Sequence, residues 1–179
     1  DALKAIENLE ESQEYYRQAI ELNWYFRPAR IALAEGSLLQ KDYKTALESY
    51  LILYKTNPYS VNTNISIAFG YLEKGDIENA EIYISRASKL SPSSPRIIEA
   101  NIRILLKKGE IDASLQMIGK LNSMSSYLYN ELSDLGTSLS QNNQDEEALK
   151  LFQSMHKISQ SYNKYQVSYR AAVASFNLK

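Results

Sequence analysis

The sequence predicts an all-α fold in which helical hairpins stack on one another as an α–α superhelix. Three observations predict it. A small residue returns at a fixed interval of 34 residues, at Ala46, Ala80, Ser114 and Ala148. Glycine or a polar turn residue stands about five residues before each, at Lys41, Gly75, Gly109 and Asn143. An aromatic residue or isoleucine follows four later (Tyr50, Ile84, Ile118, Phe152), and a small or apolar residue seven later (Leu53, Ala87, Leu121, Met155). Spacings of four and three lie on one face of a helix. A fixed period of this length marks a repeated supersecondary unit. Full units are read at 27–60, 61–94, 95–128 and 129–162, with partial units at 1–26 and 163–179, all within one solenoid domain, 1–179.

Each unit splits into two helical patterns. In the unit from Val61 to Ser94, Ile67, Ala68 and Tyr71 share one face of a first helix. Gly75-Asp76 ends that helix and starts the next, since Gly suits a helix terminus and Asp caps the following one. Ala80, Ile84 and Ala87 share one face of the second helix, which Ser91-Pro92 ends because Pro cannot continue it. Ser94-Pro95 then opens a new unit, with Ser as cap and Pro at the first helical position.

The other units follow suit. Leu33, Ala34 and Ser37 precede Asp42, then Ala46, Tyr50 and Leu53. Ile98, Asn101, Ile102 and Leu105 precede Gly109, then Ser114, Ile118 and Leu121, with the turn beyond them expected at Ser123–Ser126. Leu132, Leu135, Gly136 and Leu139 precede Ala148, Phe152 and Met155. Counting back one period assigns Ser12, Tyr16 and Ala19 to the second helix of an earlier unit. Tyr169, Ala172, Val173 and Phe176 read as the packing face of a final first helix, with the phase slipping by about three residues. About ten helices are expected in all.

Composition narrows the function classes. The 179 residues carry 20 basic and 21 acidic side chains, a formal net charge of −1, so there is no basic field to hold a phosphate backbone. Cysteine is absent, which excludes disulfides, thiolate zinc sites and a cysteine nucleophile. No apolar run approaches the roughly 20 residues that span a bilayer. The chain opens on Asp1 rather than Met and is read as a cut fragment or mature form. Its compartment is therefore open between cytoplasm and, where a signal segment has been removed, periplasm or envelope. The 14 tyrosines are expected to fill gaps between helices with their hydroxyls near water.

These residues resemble the tetratricopeptide repeat (TPR) superfamily. Its pattern places Leu-Gly and then Tyr in the first helix, and a small residue, an aromatic, Ala and a terminal Pro in the second. Ile67–Pro92 and Lys41–Pro58 are similar to it, whereas Asn101, Ser114 and Gln160 depart from it. The resemblance implies a right-handed superhelix with a concave groove lined by first helices, and a protein or peptide as ligand. It extends to a non-catalytic scaffold, with a bacterial envelope, pilus or secretion assembly as one setting. The alternatives are a peptide-sensing regulatory domain or the targeting domain of a larger enzyme.

Catalytic chemistry has little to build on. The one histidine, His156, reads as a boundary residue beside Met155, and no GxGxxG or GxxxxGK[ST] run occurs. The acidic clusters fall in first turns or on polar faces of helices. No cofactor, no metal and no nucleic-acid partner are expected.

The groove is expected to be lined by Ile31, Glu35, Leu38 and Leu39, then Asn62, Ile65, Phe69, Leu72 and Glu73. Arg96, Glu99, Arg103, Leu106 and Lys107 follow, then Asn130, Ser133, Thr137 and Ser140. Arg96, Glu99, Arg103 and Lys107 share one helical face, which is either solvated, with Glu99 and Arg103 supporting each other, or a dock for an acidic segment. Ile65, Phe69 and Leu72 are either core between repeats or an anchor for an apolar side chain. The family's C-terminal carboxylate clamp is not expected, because its positions hold Ile31, Glu35, Ser66 and Ala100. Tyr169, Ala172, Val173 and Phe176 form an apolar stripe for which three fates are open: the natural chain continues over it, it packs on its own hairpin, or it pairs with a second copy.

The repeat phase makes one immediate prediction. Ala80 is expected to sit where two helices approach too closely for a large side chain. Ala80→Leu should lower stability by roughly 1–3 kcal/mol through overpacking. A thermal midpoint equal to that of the native chain would show the phase to be wrong.

Overall fold

The computed structural model describes residues 2–158 and 161–178, and these form ten helices with no strand among them. In order they are α1 (Ala2–Leu22), α2 (Arg27–Leu39), α3 (Tyr43–Thr56), α4 (Val61–Lys74), α5 (Ile77–Leu90), α6 (Pro95–Lys107), α7 (Ile111–Ile118), α8 (Ser126–Gln141), α9 (Asp145–Ile158) and α10 (Ser161–Asn177). Packing groups the chain into two compact units, Asp1–Ile97 and Ile98–Lys179, with the division inside α6.

The four turns that join the helices of the full repeats share one geometry, set by backbone sterics. Lys41, Gly75, Gly109 and Asn143 all have positive φ, at 61°, 82°, 77° and 60°, and they stand one period apart. At each, the next residue's N–H reaches back to a carbonyl five residues earlier: Asp42 to Ser37 at 2.8 Å, and Asp76 to Tyr71, Glu110 to Leu105 and Gln144 to Leu139 at 2.9 Å. This is the left-handed helix end that favours glycine. Lys41 and Asn143 occupy it with a side chain, and Asn tolerates it better than Lys.

The residue after the turn caps the following helix in the first two of these repeats. Asp42 accepts from the Thr45 N–H at 3.1 Å, and Asp76 from the Asn79 N–H at 3.1 Å. Glu110 stands in the same place but makes no side-chain cap bond. Its extra methylene carries the carboxylate past the donors that Asp reaches. Ser60 and Ser125 cap α4 and α8 in the same manner as the aspartates.

In the first unit α2 packs on α3, α3 on α4, α4 on α5, and α1 on α2. Its core holds Ala34, Leu47, Tyr50, Leu53 and Ile67. The recurrent small residues Ala34, Ala46, Ala68 and Ala80 are wholly buried. Tyr54, Tyr71 and Tyr83 gather at the edge of this core. Tyr71 stacks on Tyr83, Tyr54 meets Tyr83 edge-on, and Arg86 donates to the Tyr54 hydroxyl at 2.9 Å.

In the second unit α8 packs on α9, and α9 on α10. Its core joins Ile102, Ile118, Leu132, Ala148, Phe152, Met155, Val167 and Ala174. Two expectations are corrected here. The first concerns α7, which ends at Ile118 rather than running through Leu121. Gly119 is a poor helix former, and the chain tightens there into bonds from Lys120 N to Met117 O and Leu121 N to Ile118 O, both 3.0 Å. Leu121 is still buried, so the core position survives the shorter helix.

The second correction is the phase of α10. The stripe of Tyr169, Ala172, Val173 and Phe176 is exposed, while Val167 and Ala174 are wholly buried and Ala171 is partly so. The packing face lies two residues earlier than expected, a slip of one residue from the period rather than three. Ala171 and Ala174 fit a close contact where the bulky Tyr169 and Phe176 do not.

The caps predict a pH dependence. Hydrogen bonds from the Thr45 side chain and N–H hold the Asp42 carboxyl below its ordinary pKa, and those from Asn79 do the same for Asp76. A folded pKa below the unfolded value contributes stability that is present above about pH 4 and lost as pH falls through the folded value. Asp42→Ala and Asp76→Ala should each cost about 1 kcal/mol at about pH 7. The gap to the native chain should narrow at about pH 2.5, measured as urea midpoints. A gap that is equal at both pH values would contradict the capping role.

Candidate functional site

The expected groove residues divide into those that meet solvent and those that do not. On α2, Glu35 and Leu39 are exposed, while Ile31 and Leu38 are half-buried against the core of the first unit. On α4, Asn62 is exposed, and Phe69 and Glu73 are half-buried. Ile65 and Leu72 are wholly buried and offer no surface to a ligand. They belong to the interior, the first of the two readings left open above. Arg96 is exposed and donates to Asn62 Oδ1 at 3.4 Å, one full period away.

The basic face of α6 is also corrected. Arg103 is only 5% exposed, and its charge is engaged inside the second unit. Nε donates to Glu131 Oε2 at 2.8 Å, Nη2 donates to the Tyr127 hydroxyl at 3.2 Å, and the guanidinium lies 4.5 Å from the Tyr127 ring centroid. Glu99 Oε1 accepts from the Ser125 N–H at 2.7 Å, where α8 begins. Leu106 is packed against the core, which leaves Lys107 exposed. Glu99 and Arg103 therefore fasten α6 to the start of α8, and Arg103 is not on offer to an acidic partner.

The structure brings together two sets of residues that the sequence kept apart. Thr137 and Ser140, expected groove residues of α8, line a depression of about 300 Å³ with Tyr169, Arg170 and Val173 of α10 and with Phe152 of α9. Tyr169 is 72% exposed and Val173 41%, so the wall of this depression is apolar and open to water. Phe176, on the same helix, is also exposed.

Arg170, which the repeat pattern did not single out, ties the floor together. Its Nη1 donates to Ser133 O at 3.0 Å, Ser133 Oγ at 2.6 Å and Thr137 Oγ1 at 2.8 Å. Nothing in the period marks this residue, because its role depends on which α8 hydroxyls face α10. His156, the boundary residue, meets the Ser168 hydroxyl through Nδ1 at 3.0 Å.

Among the described residues there is no group of three or more His, Cys, Asp or Glu placed to hold a metal ion, and no helix is long and apolar enough to cross a membrane. What the described surface offers is paired first helices, with hydroxyl, apolar and charged side chains between them.

A family model described as Tetratricopeptide repeat matches residues 1–23 and 64–94. The family match covers those two segments, and over the rest of the chain the likeness is one of fold. No curated protein matches it in sequence. Among solved structures it is similar to a thermophilic TPR protein of Thermus thermophilus, with 16% identity, 98% of this chain and 94% of that one covered, and a TM-score of 0.65. It is also similar to YrrB, described as a TPR protein with an unusual peptide-binding site, with 15% identity, 96% and 87% covered, and a TM-score of 0.60. The Cut9–Hcn1 hetero-tetramer of the APC/C matches at 14% identity and a TM-score of 0.69, over 97% of this chain and 34% of that one. At such identities the likeness concerns the fold. In TPR terms, α2, α4, α6, α8 and α10 are first helices, and α3, α5, α7 and α9 are the second helices of the four full repeats.

The Arg103 network makes a prediction. Arg103→Glu would set a second carboxylate against Glu131 in a nearly buried site. It should destabilise the chain by about 3 kcal/mol, the lower end of what breaking a buried pair costs. A urea midpoint within error of the native chain would show that Arg103 is not committed to Glu131.

Proposed function

We propose that this chain is a non-catalytic scaffold that binds a segment of another protein in an extended conformation, on the faces of its first helices. The observation that carries the reading is the depression between α8 and α10, where Tyr169 and Val173 form a solvent-exposed apolar wall beside Thr137 and Ser140. Large apolar side chains gathered at one open place, with hydroxyls alongside, are the ordinary composition of a recognition surface. Arrays of helical repeats serve this purpose because successive first helices present side chains at regular intervals along one face. The peptide-binding site named for YrrB supports the class of ligand. In the first unit, Glu35, which is exposed, and Phe69, which is half-buried, stand at the first-helix position of Thr137, counted in whole periods.

The test is a selection of displayed random peptides, about ten residues long, the span of a typical extended recognition segment, against the immobilised chain. Peptides that bind should lose about tenfold or more in affinity on Val173→Glu, which sets a charge in the apolar wall. They should bind Glu48→Lys, a change at an exposed position of α3, as they bind the native chain. Circular dichroism establishes that both variants are folded. Selected peptides that bind Val173→Glu as well as the native chain, or the absence of any selected peptide, would contradict the proposal.

A further inference from the structure

Arg170 stands out among the charged groups of the second unit. A guanidinium has five N–H donors in a fixed plane. Nη1 supplies two of them, and both are directed into the cluster of Ser133 O, Ser133 Oγ and Thr137 Oγ1. All of these acceptors are neutral. Among the described residues no carboxylate lies within ion-pair distance of Arg170, and no hydrogen bond engages its Nε or Nη2. Arg103, in the same unit, has its Glu131. Arg170 is half-buried, and it lines the depression together with Phe152, Tyr169 and Val173.

Two physical consequences follow. A half-buried cation answered only by neutral acceptors leaves a local positive potential, and the apolar walls of the depression focus it. Anchoring Nη1 also fixes the plane of the group, leaving Nε and Nη2 as an adjacent pair of donors. That pair is the edge that meets the two oxygens of a carboxylate in parallel.

We infer that Arg170 is the anchor for an Asp or Glu side chain of an extended peptide, with Tyr169 and Val173 receiving an apolar neighbour of that residue. The inference rests on the binding role proposed for the same depression and names the chemistry it selects. Charge complementarity points to the acid, and the exposed wall points to the apolar neighbour. Ser140 supplies a hydroxyl for the peptide backbone, while Thr137 is engaged with Ser133 O and Arg170. Because Arg170 is rigidly held, selectivity comes from the fork geometry as well as from charge.

The experiment uses three arrays of random peptides about ten residues long, probed with the labelled chain. One has Leu-Glu-Leu fixed at the centre and an amidated C-terminus. The second has Leu-Gln-Leu and an amidated C-terminus. The third has Leu-Gln-Leu and a free terminal carboxylate. The native chain should prefer the first array over the second about tenfold, as expected for a charge-assisted pair. The preference should shrink as salt is raised. Arg170→Gln should abolish it, and Arg170→Lys, which keeps the charge but not the fork, should lose most of it.

If the native chain binds the first two arrays equally while Val173→Glu abolishes binding to both, the inference falls and the binding surface stands. If it binds no array, both fall. A preference for the third array over the first overturns the side-chain carboxylate in favour of a chain terminus. Should Arg170→Gln fail to fold, Arg170→Lys and the discrimination by the native chain between the first two arrays still decide the matter.

Discussion

The close approach of two helices within each hairpin is the constraint on which the rest of the structure depends. Ala34 and Ala46, Ala68 and Ala80, and Gly136 and Ala148 stand where a first helix meets its second helix. The alanines are wholly buried. At Gly136 the limit can be measured: a Cβ there would lie 2.5 Å from Cζ of Phe152. Phe152 is itself buried, and its ring would have to shift to admit that carbon. Small residues on this line let large ones such as Tyr50, Ile84 and Phe152 fill the space beside it, which is how a two-helix unit reaches the density of a protein interior.

That approach requires a turn that reverses the chain within a few residues. The positive-φ positions at Lys41, Gly75, Gly109 and Asn143 provide it, each followed directly by the residue that opens the next helix. The period of the sequence is therefore a period of backbone geometry as well as of side-chain size. Lys41 holds the left-handed conformation although lysine does not favour it, so packing on either side of the turn outweighs the local preference there.

Much of the fold was legible in the sequence because small residues, turns and caps act locally and recur. The turns at Lys41, Gly75, Ser91–Ser94, Gly109 and Asn143 all separate helices in the structure. The candidate surface was less legible. Helical spacing gives the direction in which a side chain points, but not how far a neighbouring helix overlaps it. Ile65 and Leu72 point as groove residues do and are nevertheless buried. Arg103 shares a face with Arg96 and Lys107, but only Arg103 meets Glu131. On α10 the aromatic residues suggested the packing face, while Val167 and Ala174 form it. Aromatic size is a poor guide there, since a close helix contact selects small residues. Arg170 had no signal in the period at all.

These features lead from a repeat that builds rigid paired helices to a surface that holds another chain. The α8–α10 depression combines what the repeat leaves open with what the final helix adds: hydroxyls from one side, and Tyr169, Val173 and an uncompensated arginine from the other. The most direct measurement is the perturbation of backbone amide NMR signals as a selected peptide is titrated into the isotopically labelled chain. The account predicts that the largest shifts fall on Ser133, Thr137, Ser140, Tyr169, Arg170 and Val173. Shifts concentrated on the exposed residues of α3, α5 and α9 would contradict it.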